Sequence, residues 1–232
     1  MSESTNTKYI AGMDEAGRGP AIGPIVFGIV LVTKKQEREL QEGGVKDSKA
    51  LTSQKRDQFE EEIRDIVSFC NTLQLSAEQI DTKRKNGINL NQIEVNAFKQ
   101  LLAPYAKKIN KLQLDAADVN EKRFGRNFEE MINGKIISKH KGDAIFISVG
   151  AASILAKVER DQTIIRLQSE MDAFDSSLPS FRSGYPTDAK PFLQAYVSKY
   201  KKLPNIARHS WKTCSKILEN EMGPKQRSLE DY

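Results

Sequence analysis

Cysteine is nearly absent: the 232 residues include two, Cys70 and Cys214, far apart and without a CxxC partner. Two such cysteines indicate neither a disulfide framework nor a zinc site. Cys70 lies in an apolar stretch and reads as a packed thiol. Histidine is equally scarce, with His140 and His209 each in a basic loop. Neither suggests a catalytic base; both are expected at the surface or against phosphate. A single tryptophan gives no set of aromatic platforms for a carbohydrate, which speaks against a carboxylate-pair glycosidase. No apolar run approaches the ~20 residues that span a bilayer. The longest, Ile22 to Val32, is interrupted by Gly23, Pro24 and Gly28. The opening MSESTNTK lacks a basic stretch followed by an apolar one, so it is not a signal peptide, and a cytoplasmic location is expected.

What is present suits one full-sized core, or a core with a small appendage. Hydrophobic residues make up 38% and charged residues 29%, and the mean hydropathy is -0.54. The net charge of +5 and the isoelectric point near 9.0 favour a polyanionic partner, since neutralising phosphates releases counterions. A generic solvated surface explains the same charge equally well.

Along the chain, Tyr9 to Met13 reads as a strand ending at Asp14. A Gly/Pro-rich turn follows from Gly17 to Pro24, then a β-branched strand from Ile25 to Val32. Thr52 or Ser53 can cap a helix carrying Phe59, Ile63, Ile66 and Val67 at helical spacing. Ser68 to Leu75 is expected to be a strand and Lys83 to Gly87 a basic turn. Asn89 with Gln92 opens a helix whose Ile93, Ala97, Leu101 and Tyr105 share a face. A strand through Leu112 and Leu114 stops at Asp115. Asn120 caps a helix with Phe124, Phe128 and Ile132, and Lys135 to Ser138 forms a short strand. Ile145 to Met171 reads as a long helix, Asp172 to Asp188 as loop, and two helices follow near Pro191–Tyr200 and Trp211–Glu221. Strands alternating with helices after an opening strand pair indicate an α/β sheet with helices on its faces and a helical C-terminal portion.

Four acids fall where such sheets keep their sites. Asp14 and Glu15 end the first strand, Asp115 ends a later one, and Asp143 opens a helix after a strand. Carboxylates converging without His or Cys would favour Mg²⁺ or Mn²⁺. Strand-end acids are also common as plain soluble loop residues. Neighbours on a strand point to opposite faces, so Asp14 and Glu15 are expected to share a site only if the backbone turns at Glu15. Gly17-Arg18-Gly19-Pro20 either brings backbone and a guanidinium to a phosphate or simply makes a tight strand-joining turn.

These residues resemble a known family. MDEAGRGPAIGP (Met13 to Pro24), KDSKALT (Lys46 to Thr52), LDAADVN (Leu114 to Asn120), KHKGD (Lys139 to Asp143), AASILAKVERD (Ala151 to Asp161), SGYPTD (Ser183 to Asp188) and the WKT at Trp211 are similar, in order, to the blocks of ribonuclease HII. LDAADVN followed by Arg123-Phe124 is most similar to the archaeal form. The resemblance implies a ribonuclease-H-like mixed sheet flanked by helices, with a helical C-terminal extension. It divides the chain into a lead (1–7), a catalytic core (8–170), a helical extension for duplex binding (171–222) and a tail (223–232). It implies that Asp14, Glu15, Asp115 and Asp143 are catalytic and hold Mg²⁺ or Mn²⁺, two ions with substrate bound, Asp143 serving the second. The backbone of Gly17-Arg18-Gly19 would read the ribose 2′-OH. Tyr185 would stack on the following deoxyribose, Lys49 would hold phosphate, and Ser153 and Lys157 would lie near the bound backbone. Asp118 reads as structural. Gly142 stands where alanine is expected, a change that should be harmless before Asp143. The lack of an N-terminal hybrid-binding domain and the SGYP setting of Tyr185 speak against the related ribonuclease HIII.

The implied reaction is in-line phosphodiester hydrolysis of RNA–DNA hybrids, and 5′ of ribonucleotides embedded in duplex DNA, leaving 5′-phosphate and 3′-hydroxyl ends. A nucleic-acid binder without catalysis is the competing reading, and the four acids speak against it. In the tail, Gln226, Leu229 and Tyr232 are spaced as in a sliding-clamp-binding box, although a second aromatic is missing and a frayed terminus is the alternative. A monomer is expected, without a membrane partner.

Overall fold

The computed structural model describes residues 8–44 and 53–222. Lys49 with the whole KDSKALT block, and the tail residues Gln226, Leu229 and Tyr232, lie outside them.

The described residues pack as two compact units. The first holds a five-stranded sheet in the order β3-β2-β1-β4-β5: β1 (Tyr9–Ala16), β2 (Ile25–Val32), β3 (Phe69–Leu75), β4 (Ile109–Asp115) and β5 (Lys135–Lys139). β1 runs antiparallel to β2 and parallel to β4, and β4 runs parallel to β5. The sheet is therefore mixed, as expected. Every residue of β2 is buried, because its β-branched and aromatic side chains serve helices on both faces. On one face Val30 and Val32 meet Leu40 of α1 (Lys34–Glu42), Ile63 of α2 (Ser53–Ile66), and Ala151, Ala152 and Leu155 of the long α7 (Ile147–Phe174). On the other, Phe27 packs edge-on against Phe98 of α4 (Leu90–Leu102) at 5.4 Å between ring centroids. Phe98 then meets Phe124 of α5 (Glu121–Arg126) at 6.3 Å. Such ring pairs add to the plain gain from burying apolar area.

The seat of α7 on the sheet depends on missing side chains. A Cβ on Gly12 would lie 2.1 Å from the Ser148 carbonyl carbon, and one on Gly28 2.4 Å from the Ala152 carbonyl oxygen. Between them the buried Ser148 hydroxyl donates to Gln113 Oε1 at 2.7 Å, joining α7 to β4.

The second unit gathers Gly17–Ile25, Leu75–Ile88 and residues 160–222. The segment 171–222 falls wholly within it. It contains α3 (Ala77–Lys85), the distal part of α7, α8 (Pro186–Tyr200) and α9 (Lys212–Met222). Its core joins Ala21, Ile22, Phe181, Phe192, Leu193, Val197, Cys214 and Ile217.

Several local expectations change. The basic stretch Lys83–Lys85 is the last turn of α3 rather than a turn of its own; Ser76 caps that helix with a full capping box, and its cations favour the helix's C-terminal dipole. The helix capped by Asn120 ends at Arg126, and Phe128 and Ile132 reach the core from the irregular chain beyond it. Lys34–Glu42, not assigned from the sequence, is a helix with a capping box on Thr33. A short helix, α6 (Gly142–Ile145), precedes α7. α8 begins at Pro186, where a missing N–H is harmless, and contains Pro191. No described helix is long and apolar enough to cross a membrane.

Gly28→Ala is expected to cost about 1–3 kcal/mol, the usual range for overpacking a close contact. Urea denaturation of the variant measures it; an unchanged midpoint would show that α7 can retreat from β2.

Candidate active site

The parallel strands β1, β4 and β5 point the same way, so their C-terminal ends lie side by side. Met13 pairs with Leu114, and Asp115 with Lys139. The residues after Met13 and Leu114 are Asp14 and Asp115, which the ladder thus sets as neighbours. The ligand oxygens of Asp14, Glu15 and Asp115 all lie within 4.8 Å of one another. The backbone does not turn at Glu15, contrary to expectation. β1 continues in register through Glu15, opposite Phe27, and Ala16, opposite Val26. The positive φ comes at Gly17, +89°. The two carboxylates converge with the strand unbroken, and Asp14 Oδ1 also accepts the Glu15 N–H at 2.8 Å. Asp115 Oδ1 accepts from the Gly142 N–H at 2.6 Å, which ties the start of α6 to the end of β4. A Cβ on Gly142 would lie 2.8 Å from the Leu114 carbonyl oxygen, so glycine eases that approach. Asp143 follows, buried, with its Oδ1 accepting the Ala144 N–H at 3.0 Å. It adjoins the cluster along the chain but is not one of the three converging acids.

Asp14 is 5% exposed. Burial first, then the charges of Glu15 and Asp115, push its carboxyl well above the usual carboxylate range. The Glu15 N–H acts the other way, as does the Ser153 hydroxyl, which lies near Asp14 although it is buried and makes no hydrogen bond of ordinary length. Three oxygen donors of one charge, gathered at strand ends and destabilising one another, fit a hard divalent cation. Nitrogen and sulfur donors are absent from the group.

The GRG turn is a feature of the second unit. Its chain is strapped down by backbone hydrogen bonds: Ala21 and Ile22 N–H donate to the Gly184 carbonyl at 2.8 and 3.1 Å, and Gly23 N–H donates to Ile206 O at 2.9 Å. Beneath it lies Arg208, 0% exposed. Its guanidinium donates to four carbonyls: Gly17 at 2.6 Å, Pro24 at 2.8 Å, Gly23 at 2.9 Å and Arg18 at 3.0 Å. Burial, then the nearby Arg160 charge, lowers its pKa to about 9, so it remains a cation at neutral pH. Arg160 is also buried and donates to Ser183 O at 2.6 Å. Its guanidinium carbon lies 5.8 Å from the Tyr185 ring centroid. A Cβ on Gly19 would lie 3.2 Å from that ring. Tyr185, at the N-cap of α8, is 47% exposed. Gly17, Arg18, Gly19 and Tyr185 therefore come together in one unit, with a free-facing aromatic beside the turn.

The sequence profile described as Ribonuclease HII matches residues 11–214. The chain belongs to the ribonuclease HII family. Ribonuclease HII of Methanocaldococcus jannaschii is 40% identical over 227 residues, 90% of this chain and 95% of that protein. The crystal structure of ribonuclease H2 from Pyrococcus horikoshii superposes with a TM-score of 0.83 at 35% identity, covering 92% of this chain and 99% of that one. The RNase HII of a PCNA:RNase HII complex from Archaeoglobus fulgidus does so at 0.79 and 32%, covering 96% and 100%. Membership makes the chain a type 2 ribonuclease H, a metal-dependent hydrolase with a ribonuclease-H-like fold.

For a ribonuclease HII, the remaining site residues divide cleanly. Ser153 and Lys157 stand on α7, Ser153 buried toward Asp14 and Lys157 half-buried. Asp118 is held by a fork from Arg123, at 2.6 and 2.9 Å, and by the Asn120 N–H, which suits its structural reading. Both histidines face backbone: His140 the Ala116 and Val119 carbonyls, His209 that of Pro204. Sequence reasoning missed Arg160 and Arg208. Arg160 lies inside a block that resembled the family, but an arginine on a helix gives no sign of burial. Arg208 is 184 to 191 residues from the carbonyls it holds, so no local pattern reveals it.

The Asp14 environment has a pH consequence. A carboxyl whose pKa is raised by folding contributes stability at low pH, and that contribution is lost as pH rises through the folded value. Asp14→Asn removes this loss. In EDTA at neutral pH the variant is expected to melt above the wild type, with the gap closing on acidification toward the ordinary carboxylate pKa, while cleavage falls about a thousandfold or more. Thermal melts across pH check the first part; a gap that widens on acidification would contradict the assigned environment.

Proposed function

We propose that the protein hydrolyses the RNA strand of RNA–DNA hybrids and cuts 5′ of ribonucleotides embedded in duplex DNA. The observation that carries the proposal is the meeting of the Asp14, Glu15 and Asp115 oxygens within 4.8 Å in a chain of this family. These three acids and Asp143 would hold Mg²⁺ or Mn²⁺, two ions when substrate is bound. Such ions supply Lewis acidity: they lower the pKa of water and stabilise a developing oxyanion.

The chain's own residues do the rest. The carboxylates would place the cations against the scissile phosphate, since an anionic carboxylate does not itself attract a phosphate oxygen. The water attacks in line, the bond to the 3′ oxygen breaks, and 5′-phosphate and 3′-hydroxyl ends remain. The backbone of Gly17-Arg18-Gly19 reads the ribose 2′-OH, and Tyr185 stacks on the next deoxyribose, reporting the RNA-to-DNA junction. Lys49 would hold a phosphate, and Ser153 and Lys157 would lie near the bound backbone. The C-terminal helices grip the duplex, helped by the basic charge.

Cleavage of a labelled duplex carrying one ribonucleotide, with Mg²⁺, Mn²⁺ or EDTA, tests this reading. Metal-dependent cutting on the 5′ side is expected; cutting of long hybrids alone would reject it. Tyr185→Ala should lose roughly tenfold or more on the single ribonucleotide, about the worth of one stacked ring, and less on a long hybrid. Equal losses would remove Tyr185 from junction sensing.

The tail carries a separate proposal. Gln226, Leu229 and Tyr232 bind a sliding clamp, supported by their spacing and by the relative solved in complex with PCNA. Deleting residues 226–232 is expected to abolish clamp binding in a pull-down and to leave cleavage of short duplexes unchanged; retained binding would place the clamp contact elsewhere.

A further inference from the structure

A buried arginine whose acceptors are all main-chain carbonyls does more than fill space. Arg208 reaches two segments, Gly17–Arg18 and Gly23–Pro24, and takes two carbonyls from each. A guanidinium is planar and carries five donors in a fixed fork, so four acceptors around it fix the planes of four peptide groups. In a trans peptide the N–H points opposite to the C=O, and the described chain has no cis bond. The Gly17 carbonyl shares its peptide plane with the Arg18 N–H, and the Arg18 carbonyl with the Gly19 N–H. By turning both carbonyls inward, Arg208 turns these two N–H groups outward. Gly17 can join this arrangement because it sits at φ +89°, where its missing Cβ also admits the Arg160 side chain.

Arg208 is itself held. Its own N–H donates to Ala21 O at 2.8 Å, within the same looped chain. The next two amides, His209 and Ser210, donate to the two oxygens of the buried Asp81 at 2.7 and 3.0 Å. The guanidinium carbon lies 4.8 Å from the centroid of Trp211, whose ring also receives Arg84 at 5.4 Å. These partners fix the residue from its backbone, its flank and its head.

We propose that Arg208 is the positioning residue for ribose recognition: it sets the direction of the Arg18 and Gly19 amides that meet the 2′-oxygen. The proposal rests on the reading in which the GRG backbone recognises ribose. Asp81 acts one step behind, holding the Arg208 turn. Lysine cannot replace Arg208, because an ammonium has three donors on a point charge and no fork. Glutamine offers two donors and no charge.

The test compares binding of two duplexes in Ca²⁺, one with a single ribonucleotide and one all-deoxy, using the full chain. The wild type should favour the ribonucleotide duplex. Arg208→Lys is expected to reduce that preference by about tenfold, the order of a misaligned pair of neutral hydrogen bonds, while binding of the all-deoxy duplex changes little. Asp81→Asn should cause a smaller loss of the same ratio, and it decides the matter if Arg208→Lys does not fold. Folded variants that keep the wild-type ratio would overturn the positioning role. A wild type with no preference would instead overturn the ribose-reading GRG turn beneath it. A uniform weakening on both duplexes would make Arg208 a scaffold residue only, and would likewise overturn the proposal.

Discussion

Like charges repel most where water is scarce, and the parallel pairing of β1 with β4 holds two carboxylates against that repulsion. Asp14 and Asp115 cannot separate without breaking the ladder at Met13 and Leu114. Glu15 joins them from the same strand, and burial first, then the charges of Glu15 and Asp115, raise the Asp14 pKa. The site is thus an internal stress that the rest of the first unit must offset. The means are visible in the close seat of α7 over Gly12 and Gly28, the buried Ser148–Gln113 bond and the phenylalanine cluster behind β2. A binding site kept poor in free energy until a cation neutralises it is a familiar compromise between stability and activity.

The second unit solves the opposite problem, a buried cation. Arg208 has no carboxylate among its four hydrogen-bond acceptors. Carbonyl dipoles converge on it instead, and Asp81 supplies a favourable field from nearby. The arrangement spreads one charge over two chain segments and makes their geometry depend on one side chain. A glycine-rich turn left to itself would be the loosest part of the chain. Here it is pinned from within, from Gly184 and from Ile206, and pinned backbone is what selective hydrogen bonding requires.

Much of the fold was legible because it is local. The β-branched run Ile25–Val32 appears at those bounds. Asn89 and Asn120 cap the helices they were expected to cap, each accepting the N–H three residues on. The misreadings are also physical. Lys83–Lys85 looks like a turn because charges cluster there, but a helix collects cations at its C-terminus. α1 was not assigned because Leu40 is its only buried residue, which gives almost no periodicity to read.

The sequence by itself determined which residues could do chemistry: oxygen-donor acids at strand ends, a glycine-bracketed arginine, and a tyrosine between glycine and proline. Residue type, order and punctuation carry that information, since they act over a few positions. Tertiary structure alone decided that Asp14 and Glu15 share a site without a turn between them, on a strand whose register runs on through both. It alone decided that Asp115 is Asp14's neighbour, through a pairing across about a hundred residues. It alone revealed Arg208, because a buried charge is defined by what surrounds it, and everything that surrounds the Arg208 head at hydrogen-bond distance comes from the other end of the chain.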